Sequence, residues 1–252
     1  RNLKKRGSLD DAASEAGVEL HVLQLDVQDT ASVSAAVDAV LEEEGRIDTL
    51  INNAGAGFVR TTEQASEDDI QWIMDVNFMG VVRCTKAVLP SMRKARSGHV
   101  VTISSVGGLV GQPFNEIYCA AKFAVEGFTE SLATYVTPHF GIHFTAVEPG
   151  GIRSDFAANV MEHVQSTGGM LDDEYLPILQ KYIGGAENRR DGADLYQTAD
   201  EVAAVVMECI DAEEPPIRRR TSPWAEGFTR FKTEPDPTGK KQQAAVIEQF
   251  LS

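Results

Sequence analysis

Apolar residues along this chain follow two alternating periods. Short β-branched runs at residues 47–51, 100–105 and 142–147 have the length and composition of buried strands. Further strands are predicted at residues 18–25 and 217–219. Between these runs the apolar residues recur every three or four positions, which is typical of helices with one face packed on a sheet. The alternation predicts an α/β protein with a doubly wound parallel sheet and helices on both faces.

Capping residues predict where several helices begin and end. A helix that begins at Asp29 or Thr30 ends at Gly45. Ser66 begins a second helix with a capping-box pattern, and Pro90 is expected to stop that helix near residue 89. Further helices are predicted at residues 115–135, 198–210 and 241–251.

Residues 156–192, called the lid segment from here on, interrupt this alternation. The segment is polar, contains the pairs Gly168-Gly169 and Gly184-Gly185, and carries only short apolar clusters. We interpret it as a mobile helical lid over a bound substrate. The alternative is a helical surface insertion without contact to any ligand.

Composition and charge exclude several classes of protein. With 252 residues, 42% of them hydrophobic, the chain is long enough for one large domain. Its net charge of −15 argues against nucleic-acid binding, because phosphate would be repelled. No apolar run approaches the roughly 20 residues of a membrane span, and the start shows no signal-peptide pattern. We expect a cytoplasmic protein with three reduced cysteines and no metal site.

A tyrosine and a lysine stand four positions apart in the predicted helix at residues 115–135. Tyr118 and Lys122 therefore lie one turn apart on one face. A phenol titrates near ~10, so it needs a nearby positive charge to exchange protons at neutral pH, and Lys122 is placed to supply it. Ser105, thirteen positions earlier, ends a predicted strand, where side chains face the ligand crevice of α/β proteins. The three residues predict acid/base chemistry on a carbonyl or alcohol oxygen.

A Tyr-x-x-x-Lys pair by itself is common on exposed helix faces, and this is the alternative interpretation. Further patterns in the expected order favour the catalytic one. They are Asn52-Asn53-Ala54-Gly55 after a strand, Asn77 within Asp75-Val76-Asn77-Phe78-Met79-Gly80, and Pro149-Gly150 after the strand at residues 142–147.

With these motifs the chain resembles the short-chain dehydrogenase/reductase family over roughly residues 1–210. Residues 105–109 and 114–127 are similar to the branch that contains type 1 17-beta-hydroxysteroid dehydrogenase and the retinol dehydrogenases. The resemblance implies a Rossmann-like fold and an oxidoreductase that transfers a hydride between a nicotinamide cofactor and a carbonyl or alcohol.

The resemblance also implies a role for each candidate catalytic residue. Tyr118 exchanges a proton with the substrate oxygen, and Ser105 hydrogen-bonds the same oxygen. Lys122 lowers the pKa of Tyr118 and holds the nicotinamide ribose. Asn77 supports a water-linked proton relay through Lys122; the alternative is that its side chain holds neighbouring backbone.

Cofactor contacts are implied at the carboxyl ends of several strands. They are Asp26 and Val27, Asn53, Ala54 and Gly55, the catalytic pair Tyr118 and Lys122, and Pro149, Gly150, Ile152 and Ser154. Asp26 resembles the adenine contact, although a turn or helix-capping carboxylate is the alternative. Ser154 stands where the family more often has threonine, and Gly151-Ile152 departs from the usual pattern.

The family begins with a strand, a glycine-rich turn and a helix that hold the cofactor pyrophosphate, and this chain shows none of the three. Residues 1–5 resemble the segment just after the family's second strand. We therefore interpret residues 1–252 as a single short-chain dehydrogenase domain that lacks this lead-in. We expect the natural protein to carry roughly 30 to 40 further residues upstream, about one βαβ unit.

The residue after the family's second strand selects the cofactor. A basic side chain there accepts a 2′-phosphate, whereas an acidic one binds a 2′-hydroxyl. That position resembles Arg1, so NADP(H) is favoured over NAD(H). An ordinary surface arginine is the alternative.

The lid segment indicates the kind of substrate. It mixes apolar residues and glycines with Asp172, Asp173 and Glu174. We expect neutral, apolar ketones, aldehydes or alcohols of steroid, retinoid or long-chain type rather than anions. The alternative function is a non-catalytic nucleotide-sensing or scaffold protein with the same fold.

The helices of Asn77 and Tyr118 have apolar residues on more than one face. These include Phe123, Val125, Phe128 and Leu132. Part of this surface is expected to meet a second copy, as is common in the family, which predicts a homodimer or homotetramer.

Overall fold

The computed structural model describes residues 7–190 and 196–251, without the side chains of residue 8 and residues 186–190. The strands are β1 (Thr49–Asn52), β2 (Gly98–Ile103), β3 (Ile142–Glu148), β4 (Gly151–Arg153), β5 (Tyr196–Thr198) and β6 (Arg218–Arg220). The helices are α1 (Gly7–Ala16), α2 (Thr30–Glu44), α3 (Glu67–Met74), α4 (Gly80–Ala95), α5 (Glu116–Phe140), α6 (Phe156–Ser166), α7 (Leu176–Arg190), α8 (Ala199–Asp211), α9 (Pro223–Thr233) and α10 (Lys240–Leu251). A π-helical turn (Asp75–Met79) joins α3 to α4, and a 3-10 turn (Val106–Gly108) comes after β2.

Four strands form a parallel sheet in the order β1-β2-β3-β6. In its register Leu50 lies beside Val100, and Val100 lies beside Phe144. Strands β4 and β5 form a separate parallel pair. All carboxyl ends of the main sheet therefore lie along one edge, where α/β proteins bind their ligands.

Helices cover both faces of this sheet. Val100 packs in a cluster with Met92 of α4 and Leu132 of α5. Its neighbour Val101 packs instead with Val206 of α8. Because successive side chains of a strand point to opposite faces, the two clusters lie on opposite sides of β2. The doubly wound parallel sheet predicted from the sequence is confirmed.

The strand predicted at residues 18–25 is wrong. This segment has no regular structure, and Val18, Leu20 and Leu23 are 60%, 47% and 47% exposed. A strand requires a hydrogen-bonded neighbour, and no strand within the described part of the chain lies beside these residues.

Capping predicts helix starts well and helix ends less well. Asp29 accepts the amide hydrogen of Ala31 at the start of α2, and Gly45 ends that helix with a left-handed φ of 75°. The capping box at Ser66 is present. Pro90, however, lies within α4 and does not stop it. Pro90 is on the exposed side of the helix, so water can bond the carbonyl that the missing N–H leaves open.

Two other helices differ from the prediction. Helix α5 continues five residues beyond the predicted end at residue 135, to Phe140, and stops at Gly141, which has a φ of 67°. Helix α9 was not predicted, although Ser222 followed by Pro223 is a typical helix start, and the Ser222 hydroxyl accepts from the Ala225 amide. In the described residues no helix combines the length and apolar character needed to cross a membrane.

Candidate active site

Ser105, Tyr118 and Lys122 meet where β2 ends and α5 passes over it. The Tyr118 ring lies beside the Ser105 side chain, close enough for the serine hydroxyl to influence the phenol. Lys122 Nζ donates to the Ile103 carbonyl oxygen at 2.8 Å and lies 5.8 Å from the centroid of the Tyr118 ring. The structure thus brings together the three side chains that the sequence singled out.

Ser105 is positioned by the turn that comes after β2. Its backbone is extended, and its Oγ accepts a hydrogen bond from the Gly107 amide at 3.0 Å. A Cβ atom at Gly107 would lie 3.3 Å from both Ser105 Oγ and Tyr118 Cε1. A glycine at this position therefore leaves room for the phenol beside the serine hydroxyl.

The phenol of Tyr118 is a neutral acid in this environment. Burial raises its pKa to about 12, and the nearby Ser105 hydroxyl opposes that rise. The Phe156 ring of α6 covers the tyrosine, with ring centroids 6.1 Å apart and an angle of 63° between the rings. The phenol thus keeps its proton at neutral pH unless a substrate oxygen accepts the proton or a nearby positive charge lowers the pKa.

Lys122 is buried next to the tyrosine but does not donate a hydrogen bond to it. Burial lowers the lysine pKa to about 8, and the neighbouring Glu126 carboxyl opposes this effect. The ammonium is fixed through the Ile103 carbonyl, which leaves further N–H groups for a ligand. Its predicted effect on the phenol stays a prediction.

Asn77 is buried within the π-helical turn and holds backbone in place. Its Oδ1 accepts from the Ala56 amide at 3.0 Å, and its Nδ2 donates to the Ala56 carbonyl at 2.8 Å. A π-helical turn inserted between two α-helices is frequent at functional sites. The geometry supports the backbone-holding alternative, and the relay role stays a prediction.

The Asn-Asn-Ala-Gly motif comes after β1 at the same edge of the sheet. Asn52, the last residue of β1, connects this strand to α4 and β2, because its Nδ2 donates at 3.3 Å to both Thr85 Oγ1 and Thr102 Oγ1. The next three residues, Asn53, Ala54 and Gly55, are exposed. A Cβ at Gly55 would lie 3.1 Å from Asn77 Oδ1, so glycine permits this close approach of loop and helix.

Asp26 and Val27 lie beside the start of α4. The Asp26 carboxylate accepts from the Gln28 amide at 3.1 Å, as expected for a turn carboxylate. Val27 packs on Gly80, where a Cβ would approach the Val27 side chain within 2.9 Å. Contact of Asp26 and Val27 with a cofactor stays a prediction.

The Pro-Gly loop lies next to the serine turn, because the Pro149 carbonyl accepts from the Val106 amide at 3.0 Å. Ile152 pairs with Gln197 in the β4–β5 sheet, and Ser154 Oγ accepts from the Phe156 amide at 3.4 Å. Arg1, which was predicted to select the cofactor, lies outside the described residues, as do residues 191 and 192 of the lid segment.

The first half of the lid segment packs against the site. A Cβ at Gly57 would lie 2.3 Å from Val160 Cγ2 and 2.8 Å from the Phe156 ring, so the absence of a side chain at position 57 lets α6 approach. Helix α6 is therefore not a detached surface insertion.

Two further contacts fix the other end of α6. The buried Arg60 guanidinium donates to the carbonyl oxygens of Gly169 at 2.8 Å and Thr167 at 3.0 Å. His163 stacks on Trp72, with ring centroids 4.7 Å apart. A cation at the carboxyl end of a helix also complements the helix dipole. Movement of the lid segment stays a prediction.

Sequence reasoning missed three residues around the site: Gly57, Arg60 and Glu126. Glu126 offered a signal, because it stands one helical turn beyond Lys122 on the same face. Gly57 and Arg60 act through contacts between segments that are distant in the sequence, and residue spacing gives no indication of such contacts.

Comparison with known proteins decides the family. Residues 1–165 match the family described as short chain dehydrogenase. The chain belongs to the short chain dehydrogenase family. It is an NAD(P)-dependent oxidoreductase that acts on CH–OH groups, as inferred from the resemblance. Its relatives offer no support for the non-catalytic alternative.

Curated relatives confirm the branch of this family that the motifs indicated. Retinol dehydrogenase 8 of Bos taurus is 40% identical over 232 residues, which cover 88% of this chain and 70% of that protein. The 17-beta-hydroxysteroid dehydrogenase type 1 of Homo sapiens is 36% identical over 249 residues, which cover 98% of this chain and 74% of that protein.

A solved structure confirms the Rossmann-like fold. It is a short chain dehydrogenase/reductase from Burkholderia phymatum in complex with NAD, 27% identical, with a TM-score of 0.75. The match covers 91% of this chain and 82% of that one.

Proposed function

We propose that this short chain dehydrogenase interconverts neutral, apolar ketones or aldehydes and their alcohols, of steroid, retinoid or long-chain type. The observation that carries the proposal is the position of Tyr118, which lies beside Ser105 and has the Phe156 ring of α6 packed against it. A polar pair under an apolar cover suits a substrate with one oxygen on a hydrophobic frame. The two relatives described above are named for retinol and for a hydroxysteroid, which are substrates of the same kind.

In the proposed reaction Tyr118 and Ser105 both bind the substrate oxygen. Burial keeps the phenol protonated, so in carbonyl reduction it is ready to donate its proton to the oxygen as negative charge develops there. Ser105 orients the same oxygen. Its hydroxyl also accepts from the Gly107 amide and so stabilises the turn that follows the serine. In alcohol oxidation the proton moves in the opposite direction.

Lys122 acts beside the phenol and has no direct contact with its oxygen. Its ammonium is held by the Ile103 carbonyl, close to the face of the tyrosine ring. There its charge favours the phenolate and its remaining N–H groups can hold a ribose.

The edge of the sheet suits a nicotinamide cofactor. Asn53, Ala54 and Gly55 are small or polar, exposed, and leave the backbone accessible after β1. They would hold the cofactor together with Asp26, Val27, Lys122, Pro149, Gly150, Ile152 and Ser154. When bound, the nicotinamide supplies or accepts the hydride. We propose NADP(H) over NAD(H), because Arg1 stands where a basic side chain accepts the 2′-phosphate.

The proposal predicts a ranking of substrates and cofactors. In absorbance assays of NADPH or NADH oxidation, a neutral set of a 17-ketosteroid, all-trans-retinal and a long-chain ketone should give kcat/KM values about tenfold or more above short anionic ketones such as pyruvate. The acidic residues of the lid segment, Asp172, Asp173 and Glu174, should repel the anionic set. NADPH should be preferred, and Arg1→Glu should weaken that preference. Equal or better use of the anionic set contradicts the substrate class, whereas a preference for NADH contradicts only the role of Arg1.

We also propose a homodimer or homotetramer through the helices of Asn77 and Tyr118. Of the apolar residues that suggested it, Val125 and Leu132 are buried in the core of one chain and are not available to a second copy. Phe123 of α5 is 42% exposed. It remains available to a second copy.

Light scattering at micromolar protein should give at least twice the chain mass of 27.4 kDa. Phe123→Glu should reduce the mass to that of one chain, because a charge would be buried at the contact. Met207→Glu alters an apolar residue of α8 that is at least as exposed, at 51%, and is the control. A single-chain mass for the wild type would refute the assembly.

Two other predictions from the sequence stay proposals. One is that residues 1–252 form a single domain into which the lid segment is inserted. The four-stranded sheet supports it, because β1, β2 and β3 precede the lid segment and β6 follows it. The other is a cytoplasmic location, which agrees with three free, buried cysteines, Cys84, Cys119 and Cys209.

A further inference from the structure

A buried polar cluster lies behind the candidate active site, one helical turn beyond Lys122. Glu126 of α5 and Glu148 of β3 are 6% and 0% exposed. Their carboxyl groups lie close enough to interact directly. The Ser104 hydroxyl donates to Glu126 Oε1, and Ser104 directly precedes Ser105.

This pair requires a proton. Two carboxyl groups hydrogen-bond only when one of them is protonated, since a carboxylate only accepts. Glu148 Oε2 accepts from Arg220 Nη1 at 3.2 Å, but Glu148 Oε1 has no donor among the described residues unless the Glu126 carboxyl supplies one. Burial raises the pKa of Glu126 to about 7 and that of Glu148 well above its usual range. The proton belongs to the pair rather than to either residue.

The surrounding charges support the same conclusion. The cations that act on the pair are Lys122, Arg218 and Arg220. Besides the pair itself, two further carboxyl groups belong to the cluster. Glu130 is ion-paired with Arg218, and Glu226 Oε2 lies 3.0 Å from Arg220 Nε. Three cations face four carboxyl groups, so one retained proton makes the cluster neutral. A second carboxylate in the pair would be buried without a matching cation.

The same cluster is hydrogen-bonded to the residues that precede Ser105. Lys122 is bonded to the Ile103 carbonyl, and Glu126 is bonded to the Ser104 hydroxyl. A Cβ at Gly108 would lie 2.8 Å from Ser104 Oγ and 3.0 Å from Glu126 Cγ, so the turn packs closely on the glutamate. One face of α5 thus holds Ile103 and Ser104, the two residues just before the catalytic serine.

We propose that Glu126 and Glu148 share one proton, and that this protonated pair positions Lys122 and the Ser104–Ser105 turn for the reaction. Glu126 is a positioning residue, since it acts through Ser104 and Lys122. Loss of the proton places a negative charge one turn from Lys122 and removes the hydrogen bond between the two carboxyl groups. The effect on turnover rests on the proposed function, whereas the shared proton does not.

Infrared spectra of the full chain, recorded between about pH 6 and pH 9, test the shared proton without turnover. The wild type should show the C=O stretch of a buried carboxylic acid, and this band should fade as the pH rises. Glu126→Gln should lack the band, because Glu148 is then a single carboxylate paired with Arg220. Glu248→Gln removes an exposed carboxyl of α10 and should keep it. Absence of the band from the wild type, or its survival in Glu126→Gln, overturns the shared proton.

Turnover of the carbonyl substrate that reacts best in the panel tests whether the glutamate pair positions Lys122 and the Ser104–Ser105 turn. Glutamine copies the neutral form of Glu126, whereas leucine copies only its volume. Near pH 6.5, Glu126→Gln should keep kcat/KM within about threefold of wild type, and Glu126→Leu should lose about tenfold or more. Across the pH range, Glu126→Gln should lose the inflection that ionisation of the pair produces in the wild-type profile.

Two results would overturn the positioning role while leaving the proposed function intact. One is a Glu126→Gln profile that superimposes on that of the wild type. The other is wild-type kcat/KM in Glu126→Leu. Should circular dichroism show that the leucine variant does not fold, Ser104→Ala removes the contact between pair and turn instead. It should lower kcat by about tenfold with cofactor KM unchanged, and an unchanged kcat overturns the proposal.

Discussion

Replacement of Tyr118 by phenylalanine should lower turnover by roughly 10² or more while the protein stays folded and binds its cofactor. The change removes the hydroxyl that lies beside Ser105 under α6, and it keeps the ring that packs near Phe156. Because burial raises the pKa of this phenol to about 12, the neutral hydroxyl is the form that donates in carbonyl reduction. Steady-state rates with the best carbonyl of the panel measure the loss, and cofactor fluorescence measures binding.

The matched control is Tyr135→Phe on the same helix. Tyr135 is 48% exposed and lies far from the serine turn, so this variant should keep wild-type kcat. Near-normal turnover in Tyr118→Phe, with cofactor binding unchanged, would show that another group protonates the substrate.

Replacement of Lys122 by methionine should lower kcat by about 10² and also weaken cofactor binding. Methionine keeps the length of the side chain but removes the charge beside Tyr118 and the N–H groups proposed to hold the ribose. Kinetics at saturating and limiting cofactor separate the two effects. Lys86→Met, on the exposed side of α4, is the control and should change neither.

The same substitution should also remove a dependence of stability on pH that the wild type has. Burial lowers the pKa of Lys122 from 10.5 to about 8, a cost of about 3 kcal/mol to the charged form. Between these pH values the unfolded chain binds more protons at this site than the folded chain, so the wild type gains stability as the pH rises through the window. Methionine avoids this cost but leaves the Ile103 carbonyl without its donor, which costs about 1–3 kcal/mol.

Denaturant unfolding should therefore place Lys122→Met within about 1–2 kcal/mol of the wild type at neutral pH. Any advantage of the variant should shrink between about pH 8 and 10.5. A variant that unfolds at neutral pH, or one that keeps both kcat and cofactor affinity, would contradict the assignment of a buried, functional ammonium.

The sheet and its chemistry were readable along the chain because both depend on local spacing. Alternation of β-branched runs with helical periods determined a parallel sheet with helices on both faces. The four-residue spacing of Tyr118 and Lys122 determined that they share a helix face, and Ser105 at the end of a strand placed it at the ligand edge. Caps such as Asp29 and Ser66 marked helix starts, since a cap contacts only residues two or three positions away.

Tertiary structure decided what depends on contacts between distant segments. Residues 18–25 have the pattern of a strand, yet a strand forms only beside another one, and the pattern cannot report a neighbour. The approach of α6 to Tyr118 depends on the missing side chain at Gly57, about one hundred positions before the helix it contacts. The proton shared by Glu126 and Glu148 arises only because α5 and β3 bury two carboxyl groups side by side. In the sequence both are ordinary acidic residues; burial, which removes the water that would separate their charges, turns them into a pair.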